Sequence, residues 1–208
     1  MTVTLHTQAL ITTEEAIKYL QDQGYPADGN DLLRLHINGI TSMMLQVMAR
    51  DHMKWVDDDE ITEYRDGLGK DSIWLKNAPV RKIVSVTLNP HSDSSVEIAG
   101  PTEPATYTDD LWFDPIQGEV HLKSRVFADG SSTSKIIYEA GFLSTDSQYQ
   151  GLKLIALGAL AAKWQRYKNK KQGIDSESRS ESSVTYSKSD FNDTEIHEMR
   201  RYRRSSFS

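Results

Sequence analysis

Residues 147–172, SQYQGLKLIALGALAAKWQRYKNKKQ, set the main packing problem of this chain. On a 3.6-residue period Leu152, Ile155, Ala156 and Ala159 form one face, and Leu154, Leu157, Ala161 and Trp164 form another. Between 154 and 162 the segment is apolar or small on nearly all sides, which predicts a helix buried on more than one side. Two covers are open: the chain's own helices and sheet, or a neighbouring subunit. In the second case Leu154, Leu157, Ala161 and Trp164 are the candidate subunit-packing residues. Lys168, Lys170 and Lys171 ahead of Gly173 suit the negative end of the helix dipole.

Upstream, Thr12 and Glu15 have capping-box spacing, with Ile11 placed to staple onto Ala16. This first helix is expected to run through Ile17 and Leu20 and to stop near Gly24, with Pro26 beyond. Asn30 or Asp31 then caps a longer helix whose stripe is Leu33, Ile37, Ile40, Met44 and Val47, widened by Leu32, Met43 and Met48. Methionines at this spacing read as core.

From about residue 57 the period changes. ITEYRDGLGKDSIWL (61–75) reads as two short strands around a Gly-rich turn at 66–69. After Asn77, Ala78 and Pro79, residues 83–88 alternate as a half-buried strand, and further short strands are expected at 96–99, 119–123 and 135–139. HSDSS, GPTEP and DDLWFDP read as loops. Many short strands imply an antiparallel sheet or small barrel. Several of them need a neighbour, from this chain or another subunit.

Downstream of the apolar helix, IDSESRSESSVTYSKSD has little to bury and reads as a mobile loop or extended arm. Asn192 or Asp193 can cap a last helix with Ile196, Met199 and Tyr202 in step, before the close RRYRRSSFS. One weak stripe over so few residues does not hold a helix alone, so it must dock on something.

Composition bounds the function classes. The chain has 208 residues, 38% hydrophobic and 26% charged, ordinary for a globular protein. It has no cysteine, which excludes disulfides, thiolate catalysis and thiolate metal sites. MTVTLHTQALITTEE lacks a basic region ahead of an apolar run, and no stretch approaches the roughly 20 apolar residues of a membrane span. A soluble intracellular product is expected. Residues 1–150 carry 12 Lys and Arg against 23 Asp and Glu, a net of −11, while 151–208 carry 12 against 7, a net of +5. An acidic body and a basic tail can meet different partners. The same asymmetry also arises by chance across solvated faces.

The search for chemistry is largely negative. The sequence has no Walker loop, GxGxxG, HExxH or GxSxG. His6, His36, His52, His91, His121 and His197 are scattered without metal-ligand spacing and read as surface or packing residues. Asp57, Asp58, Asp59 and Glu60 are the best metal candidates, but consecutive carboxylates partly point apart, and a solvated connection explains them. GLG at 67–69 reads as a turn, since no helix opens after it. The arginine-rich end with Tyr202 and Phe207 suits either phosphate contacts or a protein interface, and the second is favoured because no groove-reading motif accompanies it.

Taken in order, these segments resemble the head–tail connector adaptor family of long-tailed phages. ITEYRDGLGKDSIWLKNAPVRKIVSV looks like that family's hairpin and Pro-Val step. KIIYEAGF is similar to the strand leading into the main helix, LKLIALGALAAKWQRYKNKKQG to the main helix, and SESRSESSVTYS with IHEMRRYRR to the arm and terminal helix. The resemblance implies an α+β chain: an α-helical bundle of three main helices plus a short C-terminal helix, with an inserted antiparallel β-rich lobe. Its parts would be a helical pair at 1–56, the β-rich lobe at 57–143, the main helix at 144–172, and the arm and docking helix at 173–208. It also implies a non-enzymatic virion protein, without cofactor, metal or membrane, assembled in the bacterial host cytoplasm. Copies of itself, twelve in number, would form a ring beneath the portal protein and meet a stopper or tail-completion protein. Genomic DNA would pass through the lumen unbound, its phosphates repelled by an acidic body. Met199, Arg200, Arg201, Tyr202, Arg203, Arg204 and Phe207 would be the portal-docking residues. A stopper or tail-terminator subunit is the nearest alternative, and a DNA-binding packaging protein acting through the basic tail is a more distant one.

Overall fold

Thr12 opens helix α1 (Thr13–Asp22) through a complete capping box: the Glu15 amide donates to Thr12 Oγ1 (3.2 Å) and the Thr12 amide donates to Glu15 Oε2 (2.9 Å). The computed structural model describes residues 3–56, 59–101, 106–168, 176–179, 182–185 and 191–202. The chain divides into two compact units, Met1–Arg50 with Ser144–Ser208, and Asp51–Leu143.

The first unit is helical. α1 ends at Gly24, whose φ of +79° glycine adopts without strain. Asn30 accepts from the Leu33 amide (3.0 Å) to start α2 (Asp31–Met48), which buries Leu33, Ile37, Ile40, Met44 and Met48. α3 (Ser147–Lys168) packs against α1 and α2 and buries Tyr149, Leu152, Ile155, Ala156, Leu157, Ala159, Leu160 and Trp164. Three polar side chains along it reach different segments. Tyr149 Oη donates to Leu10 O (3.0 Å), Lys153 Nζ to Glu15 Oε1 (2.5 Å), and Trp164 Nε1 to Pro26 O (3.3 Å). Strands β8 (Ser176–Arg179) and β9 (Ser182–Thr185) pair antiparallel, where the Ser-rich stretch reads as a loop or arm. α4 (Asp193–Arg201) starts on a second capping box, Asn192 with Glu195, and packs on α2 with Phe191 and Met199 buried.

The second unit holds two antiparallel sheets. β1 (Ile61–Gly67), β7 (Gly130–Ala140), β3 (Val80–Leu88) and β4 (Val96–Ala99) lie side by side in that order in one sheet. β2 (Ser72–Trp74), β6 (Glu119–Leu122) and β5 (Leu111–Asp114) form the other. Their apolar faces share a core that includes Leu75, Ile83, Val86, Phe113, Val120, Phe127, Ile136 and Tyr138. Gly141, at φ +132°, lets the chain leave β7 beside Lys54 and Trp55, where an added Cβ would lie 2.4 Å from the Trp55 nitrogen.

This architecture overturns the expected helical bundle with an inserted antiparallel β-rich lobe. The described residues form four helices and seven strands in two antiparallel sheets, besides the β8–β9 pair. Helix and strand take comparable shares, 34% and 27%, so the β residues are no appendage to a bundle. They close a core of their own. The expected hairpin at 61–75 is also corrected: β1 and β2 do not pair with each other. β1 runs beside β7, and β2 beside β6. At the crossing Gly67 passes so close to Ala128 that an added Cβ would lie 1.7 Å from its carbonyl oxygen. DDLWFDP, read as a loop, contains β5, where Leu111 and Phe113 are buried and Trp112 faces out.

Trp164 fills the centre of the helical unit, whereas Leu154 on the same helix is exposed. Trp164→Ala should therefore cost about 3–5 kcal/mol, while Leu154→Ala should change stability by about 0.5 kcal/mol or less. Urea unfolding followed by far-UV circular dichroism checks both.

Candidate assembly surfaces

The four α3 residues singled out for subunit packing divide sharply. Leu154 is 66% exposed, Ala161 is half-buried, and Leu157 and Trp164 are buried. Trp164 sits in an aromatic cluster, with His36 edge-on at 5.7 Å, Tyr167 tilted at 5.8 Å, and Lys168 Nζ over the ring at 5.2 Å. Around Leu154 the exposed surface of α3 continues at Ala162 and Gln165. No acidic residue occurs anywhere in α3, and its last turn carries Arg166 and Lys168.

The terminal candidates divide as well. Met199 is fully buried, Arg200 and Arg201 are exposed, and Tyr202 is half-buried. Arg203, Arg204 and Phe207 lie outside the described residues. α4 is thus anchored within its own unit through Met199, while its two described arginines face outward. Of the acidic run, Asp57 and Asp58 lie outside the described residues, and Asp59 faces His52 at 3.4 Å.

Sequence reasoning missed a third surface, the outer face of the three-stranded sheet. Period-2 alternation points Ile73, Val120 and Phe113 into the core. It points Trp74, Glu119, His121 and Trp112 outward. Register places Ser72, His121 and Trp112 in one row, which an isolated bridge extends to Tyr107. Trp112 and His121 stack almost parallel at 4.0 Å, His121 Nε2 lies 3.2 Å from Glu119, and Lys123 Nζ lies over the Tyr107 ring at 5.7 Å. The available signal was the spacing Trp112 between Leu111 and Phe113, hidden by the flanking aspartates.

Deeper in the second unit, polar groups fix the start of that unit to its sheets. Asn77 Oδ1 accepts from the Asp51 and His52 amides (3.0 and 3.2 Å), and Asn77 Nδ2 donates to Tyr138 Oη (3.2 Å). Tyr138 Oη donates to Glu63, which also accepts from the Lys76 amide and from Arg65 Nε (2.9 Å). Burial, reinforced by the neighbouring Glu63 charge, pushes the Tyr138 phenol far above its ordinary range. Buried Glu139 accepts from Trp55 Nε1 (3.2 Å) and Lys82 Nζ (3.4 Å). Each of these pairings joins parts of the same unit. Among the described residues no three His, Asp or Glu side chains are grouped to hold a metal ion, and no helix is long and apolar enough to cross a membrane.

The whole chain matches solved chains of phage-like particles. One comes from the neck of an empty gene transfer agent (GTA) particle computed with C6 symmetry, at TM-score 0.53 and 14% identity. Another comes from the virion of a native GTA particle, at 0.57 and 11%, and a third from the neck of a native GTA particle computed with C12 symmetry, at 0.53 and 14%. Each match covers 100% of this chain and 96% of the other. The shared property is the fold. No family model matches the chain, and no curated protein matches it.

Within the helical unit, burial raises the Glu15 carboxyl, but hydrogen bonds from Lys153 and the Thr12 cap, with the Lys153 charge, outweigh it and hold the group below its ordinary value. A carboxylate lowered in the folded state stabilises above its unfolded pKa, and that stability is lost as pH falls through the folded pKa. Glu15→Gln keeps a capping partner and removes the charge. At pH 7 it should cost roughly 0.2–1 kcal/mol, the scale of a partly solvated pair. The difference from wild type should vanish on the acid side of the carboxylate range, as read by urea unfolding across pH.

Proposed function

We propose that this chain is a non-enzymatic structural adaptor of a phage-like head–tail connector. Copies form a ring beneath the portal, extend the DNA channel, and hand the head on to the next neck or tail component. The observation that carries this reading is the end-to-end fold match to chains of GTA necks. The C6 and C12 symmetries of those structures support a ring, with twelve copies as the count. The protein belongs in the virion, assembled in the host cytoplasm.

The exposed part of α3 around Leu154 is the helical contribution to subunit packing. The outward arginines of α4, with the residues that follow, reach the portal, while buried Met199 holds the helix to its own subunit. Because α4 is already anchored, portal contact requires no folding of this helix. The acidic balance of the second unit, 9 Lys and Arg against 17 Asp and Glu over 51–143, lets DNA pass without adhering.

Two variants test the docking end without disturbing Met199: Arg200→Glu/Arg201→Glu, and truncation after Tyr202. Both should weaken co-sedimentation with purified portal by at least about tenfold, with far-UV circular dichroism unchanged. Undiminished portal binding would show that this end is not the docking site. Tight, salt-sensitive binding to duplex DNA, lost in the same variants, would instead identify a DNA-binding protein.

A further inference from the structure

Resting on the ring reading, we infer that the aromatic outer face of the β2–β6–β5 sheet is one half of the contact between neighbouring copies, and that it receives the basic end of α3 from the next copy. Trp74, Trp112 and Tyr107 are 43%, 39% and 66% exposed on one face. Isolated surface aromatics need no explanation, but a row of them on one sheet face marks an interaction site. Trp and Tyr are the side chains that dominate the energy of protein contacts. Trp112 is also held in advance, stacked on His121 between buried Leu111 and Phe113. That ring has little side-chain freedom left to lose on docking. The row crosses four chain segments, a width on the order of 14 Å at normal strand spacing, enough to accept one helix end.

Charge selects the occupant. Glu119 and Asp114 share the outward row with Trp74, and exposed Asp110 lies beside the end of β5. Nearby bases are already engaged: Lys123 with Tyr107 and the Thr108 carbonyl, and Arg65 with Glu63 and the Trp74 carbonyl. Such a face repels nucleic-acid phosphate and attracts cations, which aromatic rings also favour. Pairing two copies of this face would oppose like charges, so it calls for a different surface. The end of α3 is that surface: half-buried Lys163 and Arg166 and exposed Lys168 stand within four residues of part-exposed Tyr167, on a helix with no carboxylate. A head-to-tail ring needs two unlike, complementary patches on each subunit, and these two lie on different units of the chain.

The test places a photo-crosslinking benzoylphenylalanine at position 112, in an equal mixture of ¹⁵N-labelled and unlabelled chains assembled on purified portal. Mixed-isotope crosslinks to peptides containing residues 163–168 are expected. In parallel, Asp110→Lys/Glu119→Lys alone, or Lys163→Glu/Lys168→Glu alone, should lower occupancy on the portal by at least about tenfold, and a chain carrying both sets should restore it. Circular dichroism of each variant verifies folding. Wild-type rings whose position-112 crosslinks fall elsewhere, including 200–208, or only within one chain, would overturn this contact and leave the ring intact. Failure of the combined reversal to restore occupancy would do the same. Absence of any multi-copy assembly of wild type on the portal would remove the ring and this contact together.

Discussion

Three donors on α3 hold the helical unit in register. Tyr149, Lys153 and Trp164, spread over four turns, reach Leu10 ahead of α1, Glu15 in its first turn, and Pro26 beyond its end. A helix apolar on nearly every side has no strong rotational preference of its own, because burial is non-directional. The polar anchors supply the direction. An indole N–H or phenol buried without its acceptor costs about 1–3 kcal/mol, so rotations that break these contacts are penalised even where the apolar packing would tolerate them. Once α3 is fixed on α1 and α2, the remaining apolar surface on α2 is available to Met199, which explains why a nine-residue helix is stable there.

The second unit solves a different problem. Its strands are short, and β2 has only three residues, so pairing alone would not hold the smaller sheet. The shared core does so from one side. Glu63, Asn77 and Tyr138 also tie β1, the segment before β3, and β7 into one hydrogen-bonded set that fixes Asp51 and His52. Asn77 and Tyr138 each both donate and accept within it, the condition under which buried polar groups specify a structure.

The helices were legible because each rule behind them is local. Thr12 with Glu15, and Asn30 before Leu33, announce their caps within four residues, and Gly24 announces a stop. Strand pairing was not legible, because the partners of β1 and β2 lie 45–77 residues away, and period-2 alternation does not say which neighbour a strand will take. The Gly67–Gly69 turn therefore read as a hairpin, although it carries the chain from one sheet to the other. Trp112 was overlooked for a related reason: aspartates on both sides of LWF mimic a solvated loop. On α3, periodicity placed Leu154, Leu157, Ala161 and Trp164 on a shared face but could not separate the exposed Leu154 from Trp164. That difference depends on α1, α2 and the loop between them.

The distribution of indoles has an optical consequence. The chain has four tryptophans: Trp164 is shielded in the helical unit, Trp55 is half-buried, and Trp74 and Trp112 stand on one sheet face in contact with solvent. Indole emission moves to the blue as water leaves the ring. The shielded ring supplies a fixed background, and the two solvated rings supply a signal that responds to coverage of that face. The molecule thus carries two native fluorophores on that face, and their emission maximum reads its degree of coverage without any label.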